Sequence, residues 1–266
     1  MQNQDPRNLY RPSEASLDSN PASDMDAIHS SFNLGRALEQ GWAAFKDQVG
    51  PGVIFVLVGM LVALLLTFTI IGYFLLVPHI MAAFSVGGLY MFRRKLALDV
   101  LFKGFSFFGS VLGAYYVTFM INMLIQSPVL VPQVIGYVAL IRGEISMVEF
   151  NQYMMIPGLL SWPLNAVNLW IGTRFMLAMP LILERNYGAI DSLKASWRQT
   201  RPFQWWLLLL MFLSTLIGSL GVIACIVGIL ISLPLGMAIH GAAIAQLLGE
   251  DSAPTQKSGD ITPTTE

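Results

Sequence analysis

The chain has 266 residues, a formal net charge of −1 and a composition that is 55% hydrophobic and only 12% charged. A soluble domain usually carries about 25% charged residues, so this composition excludes an ordinary soluble domain, and the balanced charge gives no reason to expect a nucleic-acid partner. With one cysteine, Cys225, an internal disulfide and a paired-cysteine metal motif are excluded as well.

Polar residues dominate both ends of the sequence, which are rich in Asp, Ser, Thr and Pro. Segments so poor in apolar side chains cannot bury enough surface to offset their conformational entropy. Residues 1–30 and 249–266 are therefore predicted to be disordered cytoplasmic tails. The residues between them, 31–248, are predicted to form one all-α membrane domain.

Long charge-free stretches predict the membrane spans. Residues 52–92, 104–141 and 203–249 contain no Lys, Arg, Asp or Glu. A transmembrane helix needs about 20 apolar residues to cross roughly 30 Å of hydrocarbon, so the first and third stretches are each long enough for a helical hairpin. In chain order, six spans are predicted at 51–69, 71–92, 107–126, 155–175, 204–222 and 225–247.

Shorter segments with a mixed polar and apolar pattern precede several spans. In 34–49, apolar residues recur at helical spacing among charged ones. This pattern predicts an amphipathic helix in the cytoplasmic interface, with Trp42 at the level of the headgroups. Similar helices are predicted around 98–105 and 190–198, where Trp197 is the matching anchor.

The segment 129–153 fits none of the six spans. Its apolar part, 129–141, would measure about 20 Å as a helix, which is too short to cross the membrane. The sequence predicts an extracytoplasmic loop that contains either a re-entrant or an interfacial helix.

Basic residues are distributed unequally between the two sides that this arrangement creates. On one side only Arg142 flanks the spans, whereas ten Lys and Arg residues flank them on the other side, in addition to those of the two tails. Cytoplasmic loops carry the excess of basic residues, so both termini are predicted to be cytoplasmic. The ten residues are Arg36, Lys46, Arg93, Arg94, Lys95, Lys103, Arg185, Lys194, Arg198 and Arg201.

The sequence also repeats a pattern. Leu38 and Trp42 match Leu193 and Trp197 at an offset of 155. Four spans separate equivalent points, which predicts a parallel repeat with units of about 31–96 and 186–248. The alternative is that Gly and Pro are simply frequent in membrane helices. At an offset of 156, the further matches pair Gly72, Pro78, Met81 and Ala82 with Gly228, Pro234, Met237 and Ala238.

Three stretches carry a resemblance to a known family: DVLFKGF at 99–105, LAMPLILERNYGAIDSLKASWRQTRPFQWW at 177–206, and the Gly-rich final hairpin with Pro234. They resemble a bacterial group of uncharacterised six-helix membrane proteins and the membrane domain attached to some glycerophosphoryl diester phosphodiesterases. The resemblance implies a six-helix topology in a bacterial inner membrane and a loose link to envelope lipids. It implies no activity, because the phosphodiesterase catalytic domain and its His-Arg-Gly motif are missing from this sequence.

Arg174 is the one charged residue inside a predicted span. Burying such a group near the middle of a bilayer costs about 2.5–3.5 kcal/mol on insertion scales. Since Arg174 comes near the end of its span, it is expected to extend toward the cytoplasmic headgroups and to pair with Glu184 or with a lipid phosphate. The alternative is a buried position that serves transport.

Other polar and proline residues also lie within predicted spans. His79 and His240 are expected to form hydrogen bonds between helices; the alternatives are a proton relay or a metal site. Pro78 and Pro234 remove backbone hydrogen bonds and predict kinks in their helices. Several glycines of the last hairpin are expected to allow close helix packing: Gly218, Gly221, Gly228, Gly236 and Gly241.

The cluster of Arg93, Arg94 and Lys95 is a candidate site for anionic lipid headgroups, although orientation of the protein alone would explain it.

The sequence contains no catalytic constellation and predicts neither an enzyme nor a cofactor or metal site. The expected partners are membrane lipids, while protein partners and oligomeric state are left open. We interpret the chain as a scaffold or lipid-associated component of the bacterial inner membrane; a transporter or permease for a small solute or lipid is the alternative.

Overall fold

The computed structural model describes residues 32–223 and 225–250. Within these ranges the regular structure is entirely helical, and six helices are long and apolar enough to cross a membrane. The prediction of an all-α chain with six potential membrane spans is therefore confirmed. The predicted tail at 1–30, and the predicted tail at 249–266 beyond residue 250, lie outside the described residues.

Nine α-helices follow one another along the described chain. The predicted bounds of the first, second, fifth and sixth spans agree with the observed helices to within two residues. A π-helical segment, Gly72–Leu76, leads into the third helix, and 3-10 helices at Leu98–Phe107 and Arg201–Phe203 lead into the fourth and eighth. The helices are α1 (Leu34–Asp47), α2 (Val49–Thr67), α3 (Val77–Phe92), α4 (Phe108–Ile141), α5 (Met147–Phe175), α6 (Ala178–Arg185), α7 (Ala189–Thr200), α8 (Gln204–Ile223) and α9 (Cys225–Leu247).

The last helix, α9, lies at the centre of the bundle and contacts α1, α2, α3 and α8. Its closest approach is to α3. A Cβ added to Gly88 would lie 1.7 Å from the carbonyl oxygen of Met237, and one added to Gly241 would lie 1.9 Å from the carbonyl carbon of Gly88. The two backbones therefore touch at this crossing, and only glycine fits on either side.

The first helix, α1, packs across α9 through a hydrogen bond at its capped start and through a close contact at Gly41. The side chain of Asn33 accepts a hydrogen bond from the backbone N–H of Arg36 at 3.0 Å, which caps α1. The backbone N–H of Asn33 donates to Gln246 Oε1 of α9, also at 3.0 Å. Gly41 faces α9 so closely that a Cβ there would lie 2.5 Å from the Cα of Ile239.

The winding of the second span changes directly before Pro78. Because Pro78 has no N–H, the carbonyl of Phe74 loses its partner in an α-helix, and the hydroxyl of Tyr116 in α4 donates to that carbonyl instead. The π-helical segment Gly72–Leu76 occupies this position in the span. Pro234, by contrast, lies inside the continuous helix α9.

The prediction of a separate re-entrant or interfacial helix within 129–153 is wrong. Helix α4 continues to Ile141 over 34 residues, about 51 Å at 1.5 Å per residue, and α5 begins only a short turn later, at Met147. The missing N–H of Pro128 does not end the helix, because the hydroxyl of Ser127 donates to the freed carbonyl of Leu124 at 2.8 Å.

The extended part of the hairpin formed by α4 and α5 is stabilised by side-chain packing. The rings of Tyr137 and Phe150 lie with their centroids 4.9 Å apart. A Cβ on Gly136 would lie 2.4 Å from Cε of Met154, so the two helices are in close contact there. Ser146 and Glu149 form a capping box that starts α5. The apolar residues of 129–141 are therefore paired with a second helix.

We expect Gly88→Ala to destabilise the protein, because its Cβ would collide with the backbone of α9. Overpacking of this kind costs about 1–3 kcal/mol. Thermal unfolding in detergent, followed by circular dichroism, should show a lower Tm for this variant. Gly158→Ala is the matched control, because Gly158 also lies inside a helix and has nothing within 4 Å of an added Cβ. Equal Tm values for the two variants would contradict the assigned crossing.

Candidate functional site

A cluster of charged side chains lies at one end of the bundle. We call this cluster the charged end; it comprises Arg93, Lys103, Glu184 and Glu250. At its centre is Glu184, the penultimate residue of α6, whose side chain is only 13% exposed. Its Oε1 accepts hydrogen bonds from Tyr90 Oη at 2.8 Å and from Lys103 Nζ at 2.5 Å. Its Oε2 accepts from the guanidinium of Arg93. One carboxylate thus joins α6, the end of α3 and the 3-10 helix before α4.

Arg93 extends the charged end to the last residues described. Its Nη2 and Nε donate to the two carboxylate oxygens of Glu250 at 2.5 and 3.0 Å. Glu250, followed by Glu184, holds the pKa of Arg93 above its usual range. Arg185 donates to the carbonyl of Leu248 at 3.0 Å. The end of α9 is therefore attached to both α3 and α6.

The three adjacent cations predicted to contact lipid headgroups have different environments. The guanidinium of Arg93 is engaged by two carboxylates. Arg94 pairs with Asp47 at 2.6 Å, and both side chains are 43% exposed. Lys95 is exposed, and no carboxylate of the described residues pairs with it. Of the three, Lys95 is thus the one whose charge is left free for a headgroup.

Arg174 lies against two tryptophans near the end of α5. Its Cζ is 5.2 Å from the ring centroid of Trp170 and 5.1 Å from that of Trp197. The residue is 8% exposed, and its Nε and Nη1 are buried without a hydrogen-bond partner. The predicted pair with Glu184 is wrong, because that carboxylate is already bound to Arg93, Lys103 and Tyr90.

Helix α7 is attached to the end of α5 by hydrogen bonds that place Trp197 over Arg174. Ser196 donates to the carbonyl of Arg174 at 2.6 Å and accepts from the backbone N–H of Leu177 at 3.1 Å. Ser196 is completely buried. The backbone of Arg174 is therefore well satisfied, whereas its guanidinium is not.

His79 is held by stacking between two phenylalanines. Its ring centroid is 4.7 Å from that of Phe105 and 4.5 Å from that of Phe108. The ring nitrogens approach the backbone of Leu75 and Phe108, but neither reaches hydrogen-bond geometry. Aromatic stacking therefore holds the His79 ring in place, and the predicted hydrogen bond between helices stays a prediction. Gly104 permits this packing, because a Cβ there would lie 2.9 Å from the carbonyl oxygen of His79.

His240 lies apart from His79 and borders a cavity of about 380 Å³ between α3, α8 and α9. Nε2 of His240 and Oγ of Ser214 are both buried without a hydrogen-bond partner, and both residues line this cavity. Gly218 and Gly236 line it too, and nothing lies within 4 Å of a Cβ added to either. The prediction of close packing is therefore wrong for these two glycines, although it holds for Gly241.

Sequence reasoning did not single out Tyr90 or Gly88. Tyr90 is one of many aromatic residues in apolar helices, and its role depends on its contact with a carboxylate 94 residues away. A usable signal did exist for Glu184, because it is an acidic residue that directly follows the apolar run LAMPLIL.

Comparison with known proteins suggests no role for the charged end or for Arg174. No protein-family model, curated protein or solved structure matches the chain. Function must therefore be inferred from the geometry of the chain's own residues. The acid and bases gathered around Glu184 are paired with one another, which suits them to fastening helices together.

We expect Glu184→Gln to destabilise the protein, because it leaves Arg93 and Lys103 partly buried without their shared carboxylate. Loss of one partner of such a pair costs on the order of 1–3 kcal/mol. Denaturant unfolding followed by tryptophan fluorescence measures the change. Glu144→Gln is the control: Glu144 pairs with Arg142 at 3.7 Å and its side chain is 58% exposed, so at most about 0.5 kcal/mol should be lost. Similar losses in the two variants would show that the Glu184 cluster contributes little.

Proposed function

We propose that this chain is a non-enzymatic multipass membrane protein that serves as a scaffold or lipid-associated component of a bacterial inner membrane. The observation that carries this proposal is the backbone contact between Gly88 of α3 and Gly241 of α9. Many transporters work by rocking one repeat or bundle against the other. Here the first and last hairpins touch through their backbones and are tied together by Arg93 and Glu250, which favours a fixed assembly.

The proposal includes an orientation with both termini and the charged end in the cytoplasm. The excess of Lys and Arg on that side supports it. In this orientation α1 and α7 are amphipathic helices of the cytoplasmic interface. Trp42 is 49% exposed and Trp197 is 38% exposed, which suits side chains that contact headgroups.

A parallel internal repeat and a relationship to the six-helix bacterial family are part of the same proposal. The helix order supports the repeat, since α1, α2 and α3 follow the same order of short helix, span and span as α7, α8 and α9. The sequence motifs at 99–105 and 177–206 support the family relationship. A relationship of this kind would connect the chain to envelope lipids.

Reporter fusions test the orientation. We expect fusions after Lys95, after Arg201 and at the C-terminus to report the cytoplasm, because the basic residues flank these points. A fusion at Glu149 should report the opposite side. The measurement compares a reporter active only in the cytoplasm with one active only outside it. A cytoplasmic signal at Glu149 would rule out six spans in this orientation.

A transporter is the second candidate function, and the cavity beside His240 is the observation that favours it. Its lining includes several hydroxyl-bearing side chains as well as two buried polar atoms without partners. A polar solute passing through the bundle would need such groups. The lining hydroxyl residues are Ser85, Ser214, Thr215 and Ser232.

Thiol labelling separates the two functions. Cys225 is the chain's one cysteine, so Ser214→Cys in a Cys225→Ser background places one thiol in the cavity. For a scaffold, we expect a membrane-impermeant maleimide to leave this thiol unlabelled in intact membranes, because no aqueous path leads to it. Glu144→Cys in the same background is the positive control, since the Glu144 side chain is exposed. Rapid labelling of Ser214→Cys would favour the transporter.

A further inference from the structure

We propose that the chain binds one anionic phospholipid, with the lipid phosphate at Arg174 and one acyl chain in the adjacent apolar groove, which Trp197 also lines. The inference rests on the proposed association with lipids and names the ligand class and the site. Its starting point is a buried charge without hydrogen-bond acceptors. Arg174 is only 8% exposed, and its guanidinium nitrogens Nε and Nη1 have no hydrogen-bond partner.

The tryptophans stabilise the guanidinium only in part. The rings of Trp170 and Trp197 give cation–π contacts at 5.2 and 5.1 Å, which partly offset the burial of the charge. They provide no acceptor for the N–H donors at the edge of the group. An arginine presents those donors in a planar fork that matches the geometry of a phosphate or carboxylate. The missing partner is therefore an acceptor that lies in the plane of the guanidinium.

The electrostatic surroundings favour an anion as this acceptor. The charged side chain that acts on Arg174 is another cation, Arg201. The nearest carboxylate in sequence, Glu184, is bound elsewhere. Two cations without a carboxylate repel each other, and an anion between them removes this repulsion. A phosphate, with its negative charge and several acceptor oxygens, fulfils both requirements.

An adjacent groove indicates that the phosphate belongs to a lipid. The groove has a volume of about 410 Å³ and is lined by Val117, Phe175, Ile190, Leu193, Lys194 and Trp197. All of these side chains except Lys194 are apolar, which suits an acyl chain. Trp197 forms a wall of the groove and also stacks on Arg174. Lys194, also in this lining, adds a third cation close to the groove.

Lipid titration of the purified full chain in neutral detergent, measured by native mass spectrometry, tests the site. The probe is dioctanoyl phosphatidylglycerol, and dioctanoylglycerol is the phosphate-free comparison. Wild type should bind one phosphatidylglycerol with saturation and no dioctanoylglycerol at the same concentrations. Arg174→Gln should weaken binding by about tenfold, which corresponds to the loss of one charge-assisted hydrogen bond.

Arg198→Gln is the matched control. Arg198 lies on α7 next to Trp197 and is exposed. Its removal should change the affinity by no more than about twofold, as expected for an exposed charge. If Arg174→Gln fails to fold, Arg174→Lys and Arg201→Gln replace it. Both should then weaken binding more than Arg198→Gln does, because Lys lacks the planar fork and Arg201→Gln removes the second cation.

A groove variant distinguishes a lipid from a free phosphate. Ile190 is 50% exposed and lines the groove, so Ile190→Trp should fill the groove without disturbing the core. We expect this variant to weaken phosphatidylglycerol binding and to leave any binding of inorganic phosphate unchanged. Tight binding of inorganic phosphate with no effect of Ile190→Trp on phosphatidylglycerol would overturn the lipid assignment.

The remaining outcomes separate this site from the broader proposal. Saturable phosphatidylglycerol binding that is equally strong in wild type, Arg174→Gln and Arg198→Gln would overturn the Arg174 site, while association with lipids would stand. No binding of phosphatidylglycerol by wild type would overturn the site and the lipid association together, and the scaffold role would then rest on the helix contacts alone.

Discussion

The backbone contact between Gly88 and Gly241 is the constraint on which the rest of the structure depends. Inside a bilayer there is no hydrophobic force between helices, so association depends on close packing and on polar contacts. Small residues provide this packing at α9 from three directions. Gly41 of α1 meets Ile239, Gly52 of α2 meets the ring of Pro234, and Gly88 of α3 meets the backbone of Gly241. The last helix is thus enclosed by the first three, and the two ends of the described chain are brought together.

The charged residues follow from this arrangement. Once α3 and α9 cross, Arg93 at the end of α3 reaches Glu250 beyond the end of α9 and Glu184 at the end of α6. These charges are paired and stabilise the helix ends. Arg174 lies elsewhere, at the end of α5, where Ser196 of α7 donates a hydrogen bond to its carbonyl. There a cation is buried with aromatic faces and without a counter-charge, which is the arrangement expected of a binding site and not of a structural ion pair.

Much of the fold could be predicted from the sequence, because a bilayer restricts which segments can be long, apolar and free of charge. The first, second, fifth and sixth spans were found to within two residues. The segment 129–153 was predicted wrongly because the length of its apolar part was judged alone. In the structure the hydroxyl of Ser127 donates to the carbonyl of Leu124, which Pro128 leaves without its helical partner, and the helix continues.

The contacts between distant helices were the part that the sequence could not provide. Gly241 was recognised as a packing residue, but nothing in a single sequence identifies Gly88 as its partner. Arg174 was paired with Glu184 because the two are near in sequence. In the structure, Arg93 and Lys103 reach Glu184 from segments 91 and 81 residues away. For the same reason, Gly218 and Gly236 could not be recognised as lining a cavity.

A double-mutant cycle at the α3–α9 crossing tests this account most directly. The free energy of unfolding in detergent would be measured for Gly88→Ala, for Gly241→Ala, for the double variant and for wild type. If both glycines serve one contact, the first methyl group already separates the helices, so the double variant should lose less than the sum of the single losses, with a coupling energy of about 1 kcal/mol or more. Losses that add to within about 0.5 kcal/mol would show that the two glycines act independently, and would contradict a fold organised around their contact.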